Sequence, residues 1–205
     1  MEIDHVILLV DDLATGHDWM YGLHGLESVP GGRHEGHGTA NRIVPLGSTY
    51  LELMAVVDPT EAGASEMGRW AMHRVGPTPR PAALCFRTED ADAVAARLHT
   101  EPVAMSRIRP DGSTISWRLV GAPAMFAGLT SVFFIQWDDP GAHPGAVAAE
   151  HRVTPTGGLS IVLAGEHHDL DLRLGLHGLP ITVEDGPPGV VSVTVDTTDG
   201  PITLI

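Results

Sequence analysis

The chain has 205 residues, 43% of them hydrophobic, which is enough to bury the core of one sizeable domain or two small ones. Its formal net charge of -14 argues against nucleic acid or an anionic membrane as a partner, since both attract clusters of basic residues. Lysine is absent, which excludes Schiff-base chemistry, and the single cysteine, Cys85, excludes an internal disulfide and a cysteine-based metal cluster.

These exclusions favour a small molecule as the partner. No stretch approaches the roughly 18 to 20 apolar residues of a membrane span, and the N-terminus lacks the pattern of a secretory signal, so we expect a cytoplasmic protein. The apolar neighbours of Cys85 predict an inert, buried thiol rather than a nucleophile.

The first predicted elements combine apolar strands with two potential metal ligands. Residues 3–10 form a β-branched apolar run that predicts a buried strand, with His5 near its start. A helix is predicted over residues 13–23, and residues 49–57 predict a second apolar strand that contains one carboxylate, Glu52. Burying an ionised carboxylate costs several kcal/mol unless it is paired, so a cation or a hydrogen-bond donor is expected beside it.

If these two strands are neighbours, His5 and Glu52 face a shared cavity within about 5 Å of each other and offer a divalent ion two ligands. The alternative is a hydrogen-bonded core histidine and a carboxylate paired with an arginine. Residues 30–41, between the strands, are rich in glycine and carry His34 and His37. We expect them to form an irregular loop that borders the cavity, with glycines at positive φ. A histidine of this loop completes a metal site, acts as a general base or only bonds the loop backbone.

The order of one strand, one helix and further strands then recurs. Asp111-Gly112 predicts the hairpin turn of the second occurrence. Its predicted strands cover residues 81–88, 103–108, 114–120 and 131–137 with a helix over 92–98, and a third occurrence has strands over 159–163, 180–183, 190–195 and 201–205 with a helix over 169–176. When the helix entrances are aligned, His5 falls on Ala83, and when the closing strands are aligned, Glu52 falls on Gln136.

We therefore predict an α+β fold in which tandem βαβββ units form a curved mixed sheet. The units span residues 1–58 and 81–140, a connection over residues 59–80 carries one helix, and a linker over residues 141–156 leads to a third, βαβββ-like unit over residues 157–205. The apolar end strand of this third unit needs burial, so we expect the unit either to pack back on the first two or to form a homodimer.

Seven short motifs, taken together in their order and spacing, carry a resemblance to a known family. They are Ile3-Asp4-His5-Val6, Gly31-Gly32-Arg33-His34, Gly38-Thr39-Ala40-Asn41, Tyr50-Leu51-Glu52-Leu53, Arg109-Pro110-Asp111-Gly112, Ser116-Trp117-Arg118 and Phe134-Ile135-Gln136-Trp137. Over residues 3–140 the chain resembles the glyoxalase-like domain family of the vicinal oxygen chelate superfamily. The resemblance implies two units whose sheets curl into an open half-barrel around a metal and a substrate.

Members of the superfamily usually place a metal ligand on the first and last strand of each unit. The resemblance thus implies His5, Glu52 and Gln136 as ligands here, while Ala83 occupies the fourth position and cannot bind a metal. The implied cofactor is a divalent ion, Mn, Mg, Fe(II), Zn or Ni, although members of the superfamily without a metal exist.

Two functions follow from the resemblance. The first is a metal-dependent enzyme of the isomerase, lyase, epimerase or dioxygenase type, with Glu52 as ligand or base and His34 as base. The second is a metal-free binding protein of the bleomycin-resistance type, in which aromatic rings stack on a planar ligand. The residues expected to contact the small molecule are Asn41, Arg107, Arg109, Trp117, Arg118, Phe134 and Trp137. Arg107 and Arg109 share a strand face and bind a carboxylate or a phosphate unless they are merely solvated.

Overall fold

The computed structural model describes residues 1–109, 111–175 and 177–205. Pro110, which belongs to one of the motifs above, and Leu176, the expected end of the third unit's helix, lie outside the described residues. Within the described part of the chain, no helix is both long and apolar enough to span a bilayer.

The first unit has the predicted order of elements. It consists of β1 (Glu2–Leu9), α1 (Leu13–His24), β2 (Val29–His34), β3 (Thr39–Pro45) and β4 (Tyr50–Val56). The Asp12 side chain caps α1 by accepting hydrogen bonds from the backbone N–H groups of Ala14 and Thr15. Gly25 ends the helix at φ 71°, a conformation that glycine adopts without steric cost.

The glycine-rich segment is a β-hairpin, so the expectation of an irregular loop is wrong. β2 pairs with β3 in an antiparallel register from Val29–Ile43 to His34–Thr39. This ladder pairs backbone groups of both strands, which outweighs the low strand propensity of glycine. The expected positive φ values are confirmed at Gly32, Gly36 and Gly38, of which the last two lie in the turn over residues 35–38.

The second unit repeats the same order with additional short helices. Two helices lie between the units, α2 (Pro59–Ala64) and α3 (Glu66–Arg74), where the sequence predicted one. The second unit comprises β5 (Arg80–Arg87), α4 (Ala91–Leu98), β6 (Val103–Ile108), β7 (Thr114–Val120), α5 (Ala122–Phe126) and β8 (Val132–Trp137). The short helix α5 was not predicted. The Asp90 side chain caps α4, as Asp12 caps α1.

The eight strands of the two units form one closed barrel in the order β1-β4-β3-β2-β6-β7-β8-β5. In each unit the first strand is parallel to the last, β1 to β4 and β5 to β8. The units meet through the antiparallel pairs β1–β5 and β2–β6, the second of which rests on the residue pair Arg33–Ile108. The barrel is therefore closed where the resemblance implied an open half-barrel.

Alternating side chains of the strands build two cores, one inside the barrel and one outside it. Ile7 and Cys85 belong to the inner core, whereas Leu8, Leu84 and Phe86 belong to the outer core, which the helices cover. Burial raises the pKa of the Cys85 thiol well above its ordinary value, in keeping with the expected inert thiol.

A separate four-stranded sheet follows the barrel. It is formed by β9 (Pro155–Ala164), β10 (Ile181–Glu184), β11 (Gly189–Thr197) and β12 (Ile202–Leu204), with α6 (His167–Leu174) between β9 and β10. The strand order is β10-β9-β11-β12, so its first strand is parallel to its second rather than to its last. This unit shares the element order of the first two units but not their pairing.

The C-terminal sheet packs back on the barrel, which is one of the two arrangements expected from the sequence. Leu159, Ile161, Leu163 and Val193 are buried in the outer core beside residues of β1 and β5. The end strand β12 pairs with β11, and its Leu204 is buried in the same core. The apolar face of this sheet is thereby covered within the chain.

Candidate functional site

The inside of the barrel contains a cavity of about 50 Å³, which has room for only a few water molecules. Its ionisable and polar lining consists of His5, His34, Asn41, Tyr50, Glu52 and Arg107. The remaining lining residues are methionines, aliphatic residues and aromatic rings. Charged groups held in such surroundings interact strongly because little water screens them.

His5 and Glu52 face each other in this cavity, as predicted. They lie on the neighbouring parallel strands β1 and β4, and the His5 Nε2 atom is 3.4 Å from the Glu52 Oε2 atom. This distance confirms the expectation of a separation within about 5 Å on one face of the sheet. The His5 ring also stacks on the Tyr50 ring, with 4.6 Å between centroids.

Asp4 bonds the ring nitrogen of His5 that faces away from Glu52. The sequence did not indicate Asp4 as a functional residue. Its Oδ1 atom is 2.6 Å from His5 Nδ1, and its Oδ2 atom accepts hydrogen bonds from Trp137 Nε1 at 2.9 Å and His143 Nε2 at 3.2 Å. The β1–β5 register shifts between Ile3 and His5, and such a bulge re-aims a side chain.

The Asp4 carboxylate is fully buried and ionised. Burial alone would raise its pKa, but the hydrogen bonds from His143 and His5 hold the pKa well below the ordinary range. A carboxylate directly before His5 in an apolar strand was the available sequence signal, because a buried charge requires partners. No local signal marked His143, which is 139 positions away.

Glu52 is tied to a buried arginine through an amide. The Asn41 Nδ2 atom donates to Glu52 Oε1 at 2.7 Å, and Arg107 Nη1 donates to Asn41 Oδ1 at 2.7 Å. Burial lowers the pKa of Arg107, yet its guanidinium remains charged at neutral pH. The cavity thus holds one fixed carboxylate and one fixed guanidinium, joined by a neutral amide.

His34, the last residue of β2, approaches the same carboxylate from another side. Its Nδ1 atom is 3.0 Å from Thr39 Oγ1, and its Nε2 atom is 3.8 Å from Glu52 Oε1. Burial lowers the pKa of His34 to about 4, so the imidazole is neutral at pH 7. His37 does not line this cavity.

Gln136 lies on the opposite face of β8, so the prediction that it binds a metal is wrong. Its Oε1 atom accepts hydrogen bonds from the Ala91 N–H at 3.0 Å and from Arg118 Nη2 at 2.6 Å. Arg118 also pairs with Asp92 at 2.9 Å on the outside of the barrel, so its predicted contact with substrate is wrong as well.

The error with Gln136 came from the alignment of the closing strands. Glu52 is in register with Ile7 on β1, and the matching helix caps make Cys85 the counterpart of Ile7. Cys85 is in register with Phe133, which is therefore the counterpart of Glu52 and offers no ligand atom. An odd shift along a strand moves a residue to the other face of the sheet.

The remaining predicted contact residues divide between the cavity and the rest of the barrel. Trp117 and Trp137 both line the cavity, with 5.4 Å between their ring centroids. Phe134 belongs to the outer core, so the prediction that it lines the cavity is wrong. Arg109 does not line the inner cavity, but it lines a neighbouring groove together with Arg107, as their shared strand face predicted. Its guanidinium donates to the Ala142 carbonyl at 2.8 Å.

The donor atoms fit a divalent metal. Two ligands of one ion, each about 2.0 to 2.2 Å from it, lie no more than about 4.4 Å apart. Taken pair by pair, the Glu52 carboxylate satisfies this limit with His5 Nε2 at 3.4 Å and with His34 Nε2 at 3.8 Å. Among the described residues, the set of three donor atoms that all lie within 4.8 Å of one another is Asp4, His5 and Cys85, so a single ion bound by His5, His34 and Glu52 would require their side chains to move closer together. His5 also gives its other nitrogen to a carboxylate, an arrangement that metal-binding histidines usually adopt.

Replacing Gly31 by alanine is expected to disturb this site. A Cβ atom at Gly31 would lie 2.1 Å from Asn41 Oδ1 and 2.4 Å from Arg107 Nη1, so the bond between these two side chains would have to break. We expect a loss of about 1 to 3 kcal/mol of unfolding free energy, measurable by urea denaturation. Gly22→Ala is the matched control: it lies in α1 with no atom within 4 Å of the new Cβ, and should increase stability by up to about 1 kcal/mol. Equal stability of wild-type and Gly31→Ala proteins would contradict the close packing of Asn41 and Arg107.

Comparison with solved structures finds a similar fold in one protein and weaker likenesses to two others. A hypothetical protein from Staphylococcus aureus is 15% identical, with 92% of this chain and 88% of that chain covered and a TM-score of 0.65. A methylmalonyl-CoA epimerase from Streptomyces coelicolor in complex with 2-nitronate-propionyl-CoA is 18% identical, covers 70% of this chain and 97% of its own, and has a TM-score of 0.49. The methylmalonyl-CoA epimerase from Mycobacterium tuberculosis is 22% identical, covers 66% and 86%, and has a TM-score of 0.44. Because both epimerase TM-scores are below 0.5, neither likeness supports an inference about the activity of this chain.

Comparison with curated protein sequences finds no match. The family model of the glyoxalase-like domain, in contrast, matches residues 3–170, which include both units of the barrel and the start of the C-terminal sheet. With its paired βαβββ units, the chain belongs to the glyoxalase-like domain family.

Proposed function

We propose that this protein is a divalent-metal-dependent enzyme that acts on a small substrate through two neighbouring substrate oxygens. The observation that carries the proposal is that His5 and His34 both approach the Glu52 carboxylate in the cavity inside the barrel, with Asp4 bound to the far side of His5. A core histidine without a function would not require a second buried histidine and two buried carboxylates around it.

The donor set narrows the choice of metal. With His34 in place of Gln136, the site offers two imidazoles and one carboxylate, which suit Zn, Fe(II), Mn or Ni better than Mg. Three protein ligands leave coordination positions open for a bidentate substrate. When bound, the ion would polarise the substrate oxygens and stabilise negative charge that develops on them.

The remaining lining residues would bind and orient the substrate. The Arg107 guanidinium, which is held in place by Asn41, suits a carboxylate or another anionic group adjacent to the chelating oxygens. The methionines and Trp117 exclude bulk water from the reacting atoms. Glu52 would act either as the carboxylate ligand or as the base that moves the proton, because its two oxygens face the cavity beside His5 Nε2 and His34 Nε2.

This arrangement favours a proton shift next to a polarised carbonyl, as in an isomerase, epimerase or lyase. A dioxygenase is the second reaction type, since two histidines and a carboxylate also serve non-haem iron oxygenases. Oxygen consumption with Fe(II)-loaded protein distinguishes the two. A substrate-dependent uptake of O₂ would support the dioxygenase, whereas proton exchange without O₂ uptake would support the isomerase or lyase.

The metal-free binding protein receives less support. Of the aromatic residues proposed for stacking, Phe134 lies outside the cavity, and the Trp137 N–H group is bound to Asp4.

A homodimer through the edge strands β10 and β12 is a separate proposal, which light scattering tests.

Metal analysis tests the proposed function. Protein purified without chelator should contain a divalent metal near one equivalent per chain, whereas His5→Ala and Glu52→Ala should bind it at least about 100-fold more weakly because each loses a direct ligand. Addition of the metal to depleted wild-type protein should raise the melting temperature by several degrees. His73→Ala, which replaces an exposed histidine, and Gln136→Ala should keep the wild-type metal content. The proposal fails if the wild-type protein neither contains nor is stabilised by any of these ions.

A further inference from the structure

His143 lies outside the cavity, directly behind the Asp4 carboxylate. It belongs to the segment that follows β8, and its ring packs edge-on against Trp137, with 5.9 Å between centroids, and at a similar distance from Tyr50. The ring is 8% exposed. The segment that carries it is docked tightly, because a Cβ at Gly145 would come within 2.6 Å of the Thr49 carbonyl oxygen.

The hydrogen bonds of His143 fix its tautomer. The Gly145 N–H group donates to His143 Nδ1 at 3.2 Å, so Nδ1 must present its lone pair. The proton of the neutral ring is therefore on Nε2, which donates to Asp4 Oδ2 at 3.2 Å. An ionised carboxylate only accepts hydrogen bonds, so this direction is the only one consistent with both contacts.

Asp4 in turn fixes the tautomer of His5. Because Asp4 Oδ1 accepts from His5 Nδ1 at 2.6 Å, the His5 proton is on Nδ1, and its Nε2 lone pair faces Glu52 and the cavity. His143 and Trp137 together saturate the second carboxylate oxygen, which prevents Asp4 from rotating away from His5.

We infer that His143 is a positioning residue for this site: acting through Asp4, it holds the His5 ring in the tautomer and orientation that present Nε2 to the cavity. The segment after the barrel is then a part of the functional site. Only the consequence for metal affinity rests on the proposed function, whereas the tautomer of His5 does not depend on a metal.

The tautomers can be measured directly in the metal-free wild-type protein. Two-dimensional NMR with ¹⁵N-labelled histidine should show His5 protonated on Nδ1 and His143 protonated on Nε2. His143→Ala should convert the His5 signals to a mixture of tautomers. A His143 ring protonated on Nδ1, or a His5 ring that is unchanged in His143→Ala, would overturn the inference even if no metal binds.

Titration with Co²⁺ provides the second readout. His143→Ala should bind Co²⁺ about tenfold more weakly, the lower end of the range for loss of a residue that supports a metal ligand. His143→Gln should restore most of the affinity, because an amide N–H can still donate to Asp4. His151→Ala is the matched control, since His151 fastens the same segment to the Pro45 carbonyl at 2.9 Å without touching Asp4.

The outcomes separate positioning from simple docking of the segment. Weak binding in His143→Ala together with near wild-type binding in His143→Gln and His151→Ala supports the inference. Equal weakening in His143→Ala and His151→Ala, or no rescue by glutamine in a folded variant, overturns it. Absence of Co²⁺ binding to the wild-type protein would contradict the proposed function and leave the NMR measurement as the test of His143.

Discussion

Phe86→Ala is expected to lower the free energy of unfolding by about 3 to 5 kcal/mol, the cost of truncating a large side chain in a filled core. Phe86 is fully buried on β5 in the outer core, with 5.7 Å between its ring centroid and that of Phe134. In a chain of this size the loss corresponds to a fall in melting temperature of roughly 10 °C, measurable by calorimetry. Leu129→Ala, at a side chain that is 66% exposed, should change stability by less than about 0.5 kcal/mol.

The same measurement tests whether the C-terminal sheet and the barrel form one cooperative body. Because Leu163 and Val193 share the outer core with Phe86, both variants and the wild-type protein should unfold in a single transition. Two resolved transitions, or a loss below about 1 kcal/mol in Phe86→Ala, would show that the sheet does not cover this face of β5 in solution.

Acidification is expected to destabilise the metal-free protein by about 3 kcal/mol through His34 alone. Burial lowers the folded-state pKa of His34 to about 4, whereas an unfolded histidine titrates near 6.5. Between these values the unfolded chain binds the proton and the folded chain does not, so stability falls as the pH falls. The contribution of neutral His34 is complete above about pH 6.5 and is lost progressively towards pH 4.

Urea denaturation at a series of pH values, with chelator present, measures this effect. His34→Gln should lose about 3 kcal/mol less than the wild-type protein over the interval, because glutamine does not titrate. His73→Gln, at an exposed position, should follow the wild-type curve. Parallel curves for His34→Gln and the wild-type protein would show that His34 is not held in an apolar, enclosed position.

The order of the elements could be predicted because its signals are local. The apolar run that became β1, the aspartate that caps α1 and the Asp111-Gly112 turn between β6 and β7 each act through neighbouring residues. Where composition misled, as in the hairpin of β2 and β3, strand pairing outweighed it: β2 pairs with β3 and β6, and β3 with β4.

The candidate site depends both on local sequence and on tertiary structure. The sequence alone determined that His5 and Glu52 require partners, because an ionised carboxylate within an apolar strand is costly to bury unpaired. Only the tertiary structure decided which partners they have. Because side chains alternate along a strand, Gln136 points out of the barrel, and the pairing of β2 with β3 places His34 beside Glu52 inside it. His143 bonds to Asp4 although the two residues are 139 positions apart. Such contacts follow from the closure of the barrel and from the register of its strands. A shift of one residue in the register of a strand would exchange the faces on which its side chains lie.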